Sequence, residues 1–304
     1  MNISDFLTDF KLQPPDIKLR VPHAISVHIG WLNWGNVGDT AFNELVEFLK
    51  AEKIAEFDRP GDFYNFVAYR DRSRTYVDNE CNRYTEFPNS RVYCVRRKKP
   101  LSDLVFLHLL EPTQFGEVYA DRVVALMKRL NVARYQVIGA MGGSAPHTRP
   151  IIITGRSSAP ELTEKLKEIG MRETLARQYQ GPTSIFSVIS TKLQSEGITT
   201  ASLIANLPSY FDLEGTDFNG VYSILKLLSK LEGLDIPLDR FEAVGKQQYD
   251  TVTTEVHVSK KLSALVSELE NKYDQEETRE RQEEIKTQLP PSIQKAINEI
   301  LGKG

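Results

Sequence analysis

Short apolar runs alternate with stretches of helical period through most of this chain, and that alternation leaves few folds open. The run at 24–29 ends in Gly30-Trp31 and a loop that closes with Gly35-Asn36-Val37-Gly38. From Val37 the apolar residues Ala41, Phe42, Leu45, Val46, Phe48 and Leu49 recur at helical spacing, with Asn36 or Asp39 placed to cap the helix. Further strands are expected at 54–57, 91–95 and 104–109, the last apolar enough to be covered on both faces. A helix at 115–130, strands at 135–141 and 151–154, and a helix at 160–169 continue the pattern. A helix at 184–194, a strand at 201–207 and a helix at 217–231 complete it. Strands separated by helices of this length predict a three-layer α/β fold on a mainly parallel sheet with crossover helices.

The 304 residues, 40% hydrophobic and 26% charged, can bury one large α/β core with an appendage. A net charge of -3 withholds the field that binding a phosphate backbone needs, and the one basic cluster, Arg96-Arg97-Lys98-Lys99, precedes Pro100 in an expected turn, so no nucleic-acid partner is expected. No apolar run approaches the span of a bilayer and the first residues lack a basic-then-apolar leader, so no membrane partner and a cytoplasmic location are expected. Cys81 and Cys94 form no Cys-x-x-Cys pair, and none of the five histidines forms a His-x-x-x-His pair. No metal and no cofactor are expected. Beyond Leu238 the strand-like runs stop, dividing the chain into an α/β domain at 1–238 and a helical extension at 239–304. The stretch 268–286 is dominated by Glu, Arg and Gln; Glu277 with Arg281 and Arg279 with Glu283 stand four apart, as an exposed helix requires. Pro290-Pro291 breaks that helix before a short amphipathic one at 293–301.

In such sheets ligands bind beyond the carboxyl ends of the strands, and four of those ends carry unusual residues. The first is the loop from Gly30 to Asp39, where Gly35, Asn36 and Asp39 stand at a helix N-terminus that favours an anion, although the Lys and Ser/Thr of a phosphate loop are missing. The second is Glu111-Pro112, a carboxylate suited to acid–base work, to a ribose hydroxyl, or to a structural clamp on Arg149. The third is Pro146-His147-Thr148-Arg149-Pro150, an imidazole and a cation held between two prolines. The fourth is Pro208-Ser209-Tyr210. A shared pocket of Gly35, Asn36, Asp39, Glu111, His147, Arg149 and Tyr210 is the expectation, with Glu111 and His147 as the catalytic candidates. His28 and His108 lie within apolar strands and read as core or edge histidines. Gly142-Gly143-Ser144-Ala145-Pro146 departs from a nucleophile elbow at its second glycine, so Ser144 is a poor nucleophile candidate and no complete catalytic set can be assembled.

These residues, in order, resemble a family. Ile29-Gly30-Trp31, Gly35-Asn36-Val37-Gly38, Phe63-Tyr64, Glu111-Pro112, the 146–150 segment, Gly181-Pro182-Thr183 and Pro208-Ser209-Tyr210 are similar to the motifs of the proteasome assembly chaperone family of the second-subunit type, in its bacterial and archaeal branch. The resemblance runs from about Ile25 to Leu238, and Leu269-Glu270 to Tyr273-Asp274 looks like the helical extension of the bacterial members. It implies a phosphorylase/hydrolase-like α/β fold, an ATP-independent chaperone-like role, protein partners such as proteasome-like subunits, and homo-oligomers. Two positions depart from the family. The chain ends Leu301-Gly302-Lys303-Gly304 without the penultimate tyrosine of a hydrophobic-Tyr-x docking tail, so docking by that route is not expected. Ser209 stands where the family often has histidine, which removes a second pocket imidazole.

Two readings follow. The favoured one is a non-enzymatic protein-binding factor that uses sheet edge, helical faces and acidic tail. The other is a small-molecule site for a nucleoside-like or anionic ligand, with Arg149 and the amides near Asn36 holding the anion and Glu111 or His147 moving a proton.

Overall fold

The computed structural model describes residues 6–173 and 183–288, with side chains to residue 279. In chain order its strands are β1 (Phe10–Leu12), β2 (His23–Ile29), β3 (Glu52–Phe57), β4 (Arg74–Val77), β5 (Arg83–Glu86), β6 (Arg91–Val95), β7 (Leu104–Leu110), β8 (Arg134–Gly143), β9 (Ile152–Ser157), β10 (Met171–Glu173) and β11 (Thr199–Pro208). Its helices are α1 (Val37–Phe48), α2 (Phe66–Tyr69), α3 (Gly116–Arg129), α4 (Pro160–Glu168), α5 (Ile185–Ser195), α6 (Phe218–Glu232), α7 (Asp239–Val258) and α8 (Lys260–Gln288).

Nine strands form one sheet in the order β1-β3-β6-β7-β2-β8-β11-β9-β10. The four central strands, β7, β2, β8 and β11, run parallel, joined by helical crossovers. These are the runs whose residues are buried on both sides, as a sheet sandwiched between helices requires. Toward the margins the direction reverses: β6, β3 and β1 follow antiparallel steps from β7, and β9 lies antiparallel to β11.

Side chains alternate along β2, so its neighbours identify the two layers. Val27 lies under Gly38 of α1, whereas the ring of His28 meets Phe186 of α5 edge-on at 5.9 Å. Helices α1 and α6 therefore cover one face, while α3 and α5 cover the other. Helix α7 packs along α6, placing Phe241 in the main core, and the Tyr249 hydroxyl donates to Asp217 at 2.8 Å. Helix α8 follows with Val266, Leu269 and Tyr273 turned inward; from Asp274 to Arg279 its side chains are exposed.

Sequence periodicity located the central strands and their helices. It did not find β1 and β10, which are three residues each, or the β4–β5 hairpin, whose residues are exposed on both faces and carry no alternation. The expected helix at 293–301 and the motif residues Gly181 and Pro182 lie outside the described residues.

Candidate functional site

The loop after β2 is held over the sheet by the absence of side chains. Gly139 of β8 lets Leu32 cross it, since a Cβ there would stand 2.3 Å from the Leu32 carbonyl oxygen; the Ala140 amide donates to that oxygen at 2.8 Å. Gly35 and Asn36 both adopt positive φ, 55° and 51°. The Asn33 side chain, three residues before Asn36, caps α1 by accepting from the Asp39 amide at 3.0 Å. Asn36 instead donates weakly to the Gly215 carbonyl at 3.4 Å. Asp39 accepts from His108 at 2.8 Å, and that bond holds its carboxyl below the usual carboxylate range.

The four strand ends do not converge on one pocket. The first and fourth share a cavity of about 390 Å³ lined by Asn33, Trp34, Gly35, Asn36, Phe211 and Asp217 among others. Among the described residues its lining includes Asp212 and Asp217 but neither lysine nor arginine, so an anion entering it would meet carboxylates there. His147 and Arg149 instead border a separate groove of about 550 Å³ bounded by β9, α6 and α7. Glu111 lines neither.

Each polar candidate has a task inside the fold. The Tyr210 hydroxyl accepts from the His147 amide at 2.8 Å and makes a short bond with Nδ1 of the same residue. Having one proton, that hydroxyl donates it to Nδ1, which leaves the His147 proton on Nε2 for Thr253 Oγ1 at 3.1 Å. Burial favours this neutral ring by lowering the His147 pKa. Arg149 grips Asp274 of α8 with two bonds of 2.9 Å and reaches Glu270 at 3.1 Å. Thr148 donates to Glu270 and Tyr273 to the Pro150 carbonyl, so the proline-bounded segment is the seat of α8. The Arg149–Glu111 clamp does not form. Glu111 accepts from the Ile185 amide at 3.0 Å and caps the first turn of α5 from a neighbouring strand. Its Oε2 is buried without a partner, and burial raises its pKa. Ser144 follows β8 into a loop and pairs with Pro208; no helix begins there.

Sequence reasoning missed a buried charge cluster at the opposite, amino ends of the strands. Glu232, 1% exposed at its side chain, accepts from His23 Nδ1 at 2.8 Å, from Arg134 and from Gln136, while Arg97 donates to its carbonyl at 2.6 Å. Burial alone would raise its pKa, but the His23 bond and the Arg134 charge prevail and bring it down to about 2. The signal was there in Arg97, read as part of a turn before Pro100, whose side chain is in fact buried against Glu232. Among the described residues no cluster of His, Cys, Asp and Glu is arranged to hold a metal ion, and no helix is long and apolar enough to cross a membrane.

A family model, that of the PAC2 family, matches residues 28–254, which takes in the four carboxyl strand ends described above. The chain belongs to the PAC2 family. This PAC2 chain is similar to a PAC2 family protein of Streptomyces avermitilis, with 26% identity, a TM-score of 0.69, and coverage of 81% of this chain and 99% of that one. A proteasome-assembly chaperone homologue of Mycobacterium tuberculosis is 22% identical with a TM-score of 0.67, covering 80% of this chain and 99% of its own. An archaeal proteasome activator of Pyrococcus furiosus shares the fold at 14% identity and a TM-score of 0.62, over 81% and 98% of the two chains. No curated protein sequence matches the chain.

Proposed function

We propose that this chain is a non-enzymatic, assembly-chaperone-like factor that holds a protein partner, a proteasome-like subunit by likeness to its relatives. The observation that carries the reading is the use of Arg149: the one guanidinium among the expected site residues borders the groove but spends its hydrogen bonds on Asp274 and Glu270 of the helical extension. A segment that spends its cation on seating a long helix is suited to presenting that helix. The relatives described as a proteasome-assembly chaperone homologue and a proteasome activator support the same direction.

Affinity purification from the source lysate, comparing the intact chain with one ending at Leu269, tests this. The shortened chain keeps α7 and loses Glu270, Tyr273 and Asp274. A stable partner recovered with the intact chain and lost with the shortened one is the expected result; recovery of the same proteins by both, or of none by either, contradicts it.

A further inference from the structure

Carboxylates without counter-charges collect at the cavity that the first and fourth strand ends share. The segments that border it, 30–40 and 209–217, hold Asp39, Asp212, Glu214 and Asp217 and no lysine or arginine. Asp39 has His108 as its partner, whereas Asp212 and Asp217, which line the cavity itself, make no ion pair among the described residues. Asp217 is only 4% exposed, and a charge so deep is ordinarily paired. Its two oxygens accept the Gly220 amide at 2.9 Å and the Tyr249 hydroxyl at 2.8 Å, both neutral donors. Capping α6 accounts for an oxygen at this position but not for a full charge, since a neutral Asn or Ser caps as well. Glu232, at the other end of the same helix, has His23 and Arg134 and its pKa falls; Asp217 has no cation, and burial raises its pKa.

The remaining walls are apolar and firmly held. Gly142 of β8 seats Trp34, since a Cβ there would stand 2.8 Å from the indole, yet the ring is still 51% exposed. Phe211 is fixed edge-on between Tyr249 and His147, with centroids at 5.8 and 6.0 Å, and Leu213 lies beside it in the lining. A volume of about 390 Å³ is within the range of small-ligand sites. Aromatic faces joined to carboxylates are the chemistry that recognises an organic cation. A hard metal ion needs several oxygen ligands at once, and among the described residues no cluster of His, Cys, Asp and Glu is arranged to supply them.

We propose that this cavity binds an alkylammonium group, its apolar stem along Trp34, Phe211 and Leu213 and its charge against Asp217 and Asp212. A carboxylate offers about four acceptor positions, so Asp217 keeps room for a further donor. Each of its oxygens already holds one donor, which disfavours the two parallel bonds of a guanidinium and suits the point charge of an ammonium. The group belongs either to a free amine or to a lysine side chain of another protein. The cavity is separate from the Arg149 seat of α8, and binding there is independent of the protein-binding reading above.

Isothermal titration calorimetry of the full chain with n-pentylammonium and with Nα-acetyl-lysine N-methylamide, at fixed ionic strength and with 1-pentanol as the uncharged control, tests this. Saturable binding of n-pentylammonium at millimolar concentration or below, and none of 1-pentanol, is the expected result. A lysine derivative that binds as tightly as n-pentylammonium assigns the site to a protein side chain; one that does not bind assigns it to a free amine. Affinity should fall about tenfold in Asp217→Asn, which retains a capping oxygen, and by a similar factor in Trp34→Leu. Both variants are first matched to wild type by circular dichroism and melting temperature. Should Asp217→Asn fail to fold, the exposed Asp212→Asn replaces it, with a loss of about threefold expected. No saturable binding of n-pentylammonium, equal binding of 1-pentanol, or affinity unchanged in the variants overturns the proposal. The lysate purification reads α8 and the calorimetry reads this cavity, so failure of one leaves the other standing.

Discussion

Glu232 shows at the scale of one residue how much of the chemistry in this chain is spent on holding it together. Its carboxylate is buried among His23, Arg134 and Gln136, and a charge so placed is costly to unpair. Glu232→Ala leaves Arg134 and Arg97 without their anion and is expected to cost ~3–5 kcal/mol in equilibrium denaturation. Loss of less than ~1 kcal/mol would show that the cluster is idle. The same residue sets a pH dependence. Its folded pKa is depressed to about 2, so the stability it contributes is complete above the usual carboxylate range near 4.5 and drains away as the pH falls toward 2. Wild type should lose stability through that interval more steeply than Glu232→Gln, as urea midpoints measured across the range will report; parallel curves would contradict the assignment.

Helix α8 is placed by a small set of groups. It is tied down by Arg149, Thr148, the Pro150 carbonyl and a short apolar row, and Arg172 lies over the Tyr273 ring at 5.4 Å. Arg149→Ala is therefore expected to speed backbone hydrogen exchange in α8 selectively, leaving the central strands β2, β7 and β8 as protected as before. Exchange that rises equally across the sheet would mean that Arg149 supports the core. Legibility in the sequence follows burial at this scale. The β7 run Leu104–Leu110 announces itself because both faces are covered, and α1 because one face is. The hairpin does not, because neither face of β4 or β5 is buried and nothing selects its residues by period. The strand-end residues were legible as unusual, and their uses were not. His147, Arg149 and Glu111 read as chemistry because imidazole, guanidinium and carboxylate are the groups of active sites. Their partners, Tyr210 with Thr253, Asp274 with Glu270, and the Ile185 amide, come from 63 to 125 residues away in sequence. No local spacing announces contacts of that range.

Across the whole molecule, the two ends of the sheet have different work. The amino ends carry the Glu232 cluster, which locks α6 to β2 and β8. The carboxyl ends, where a related α/β fold would open an active site, carry a cavity with no cation in its described lining, a seat for α8, and the groove that His147 and Arg149 border with Lys226, Lys230 and Lys246. The hairpin and α8 are attached near opposite margins, between β3 and β6 on one side and beside β9 and β10 on the other. That layout leaves the molecule with exposed features at both flanks of a rigid core. Under the proposed function, the polar groups at these strand ends serve the fold and the chain binds a protein without turning over a small molecule. The most direct test is the melting temperature of the intact chain against nucleosides, nucleotides and inorganic phosphate at millimolar concentration, where even a weak site must register. No shift is expected with any of them. A rise of several degrees with any one of these ligands would overturn that reading.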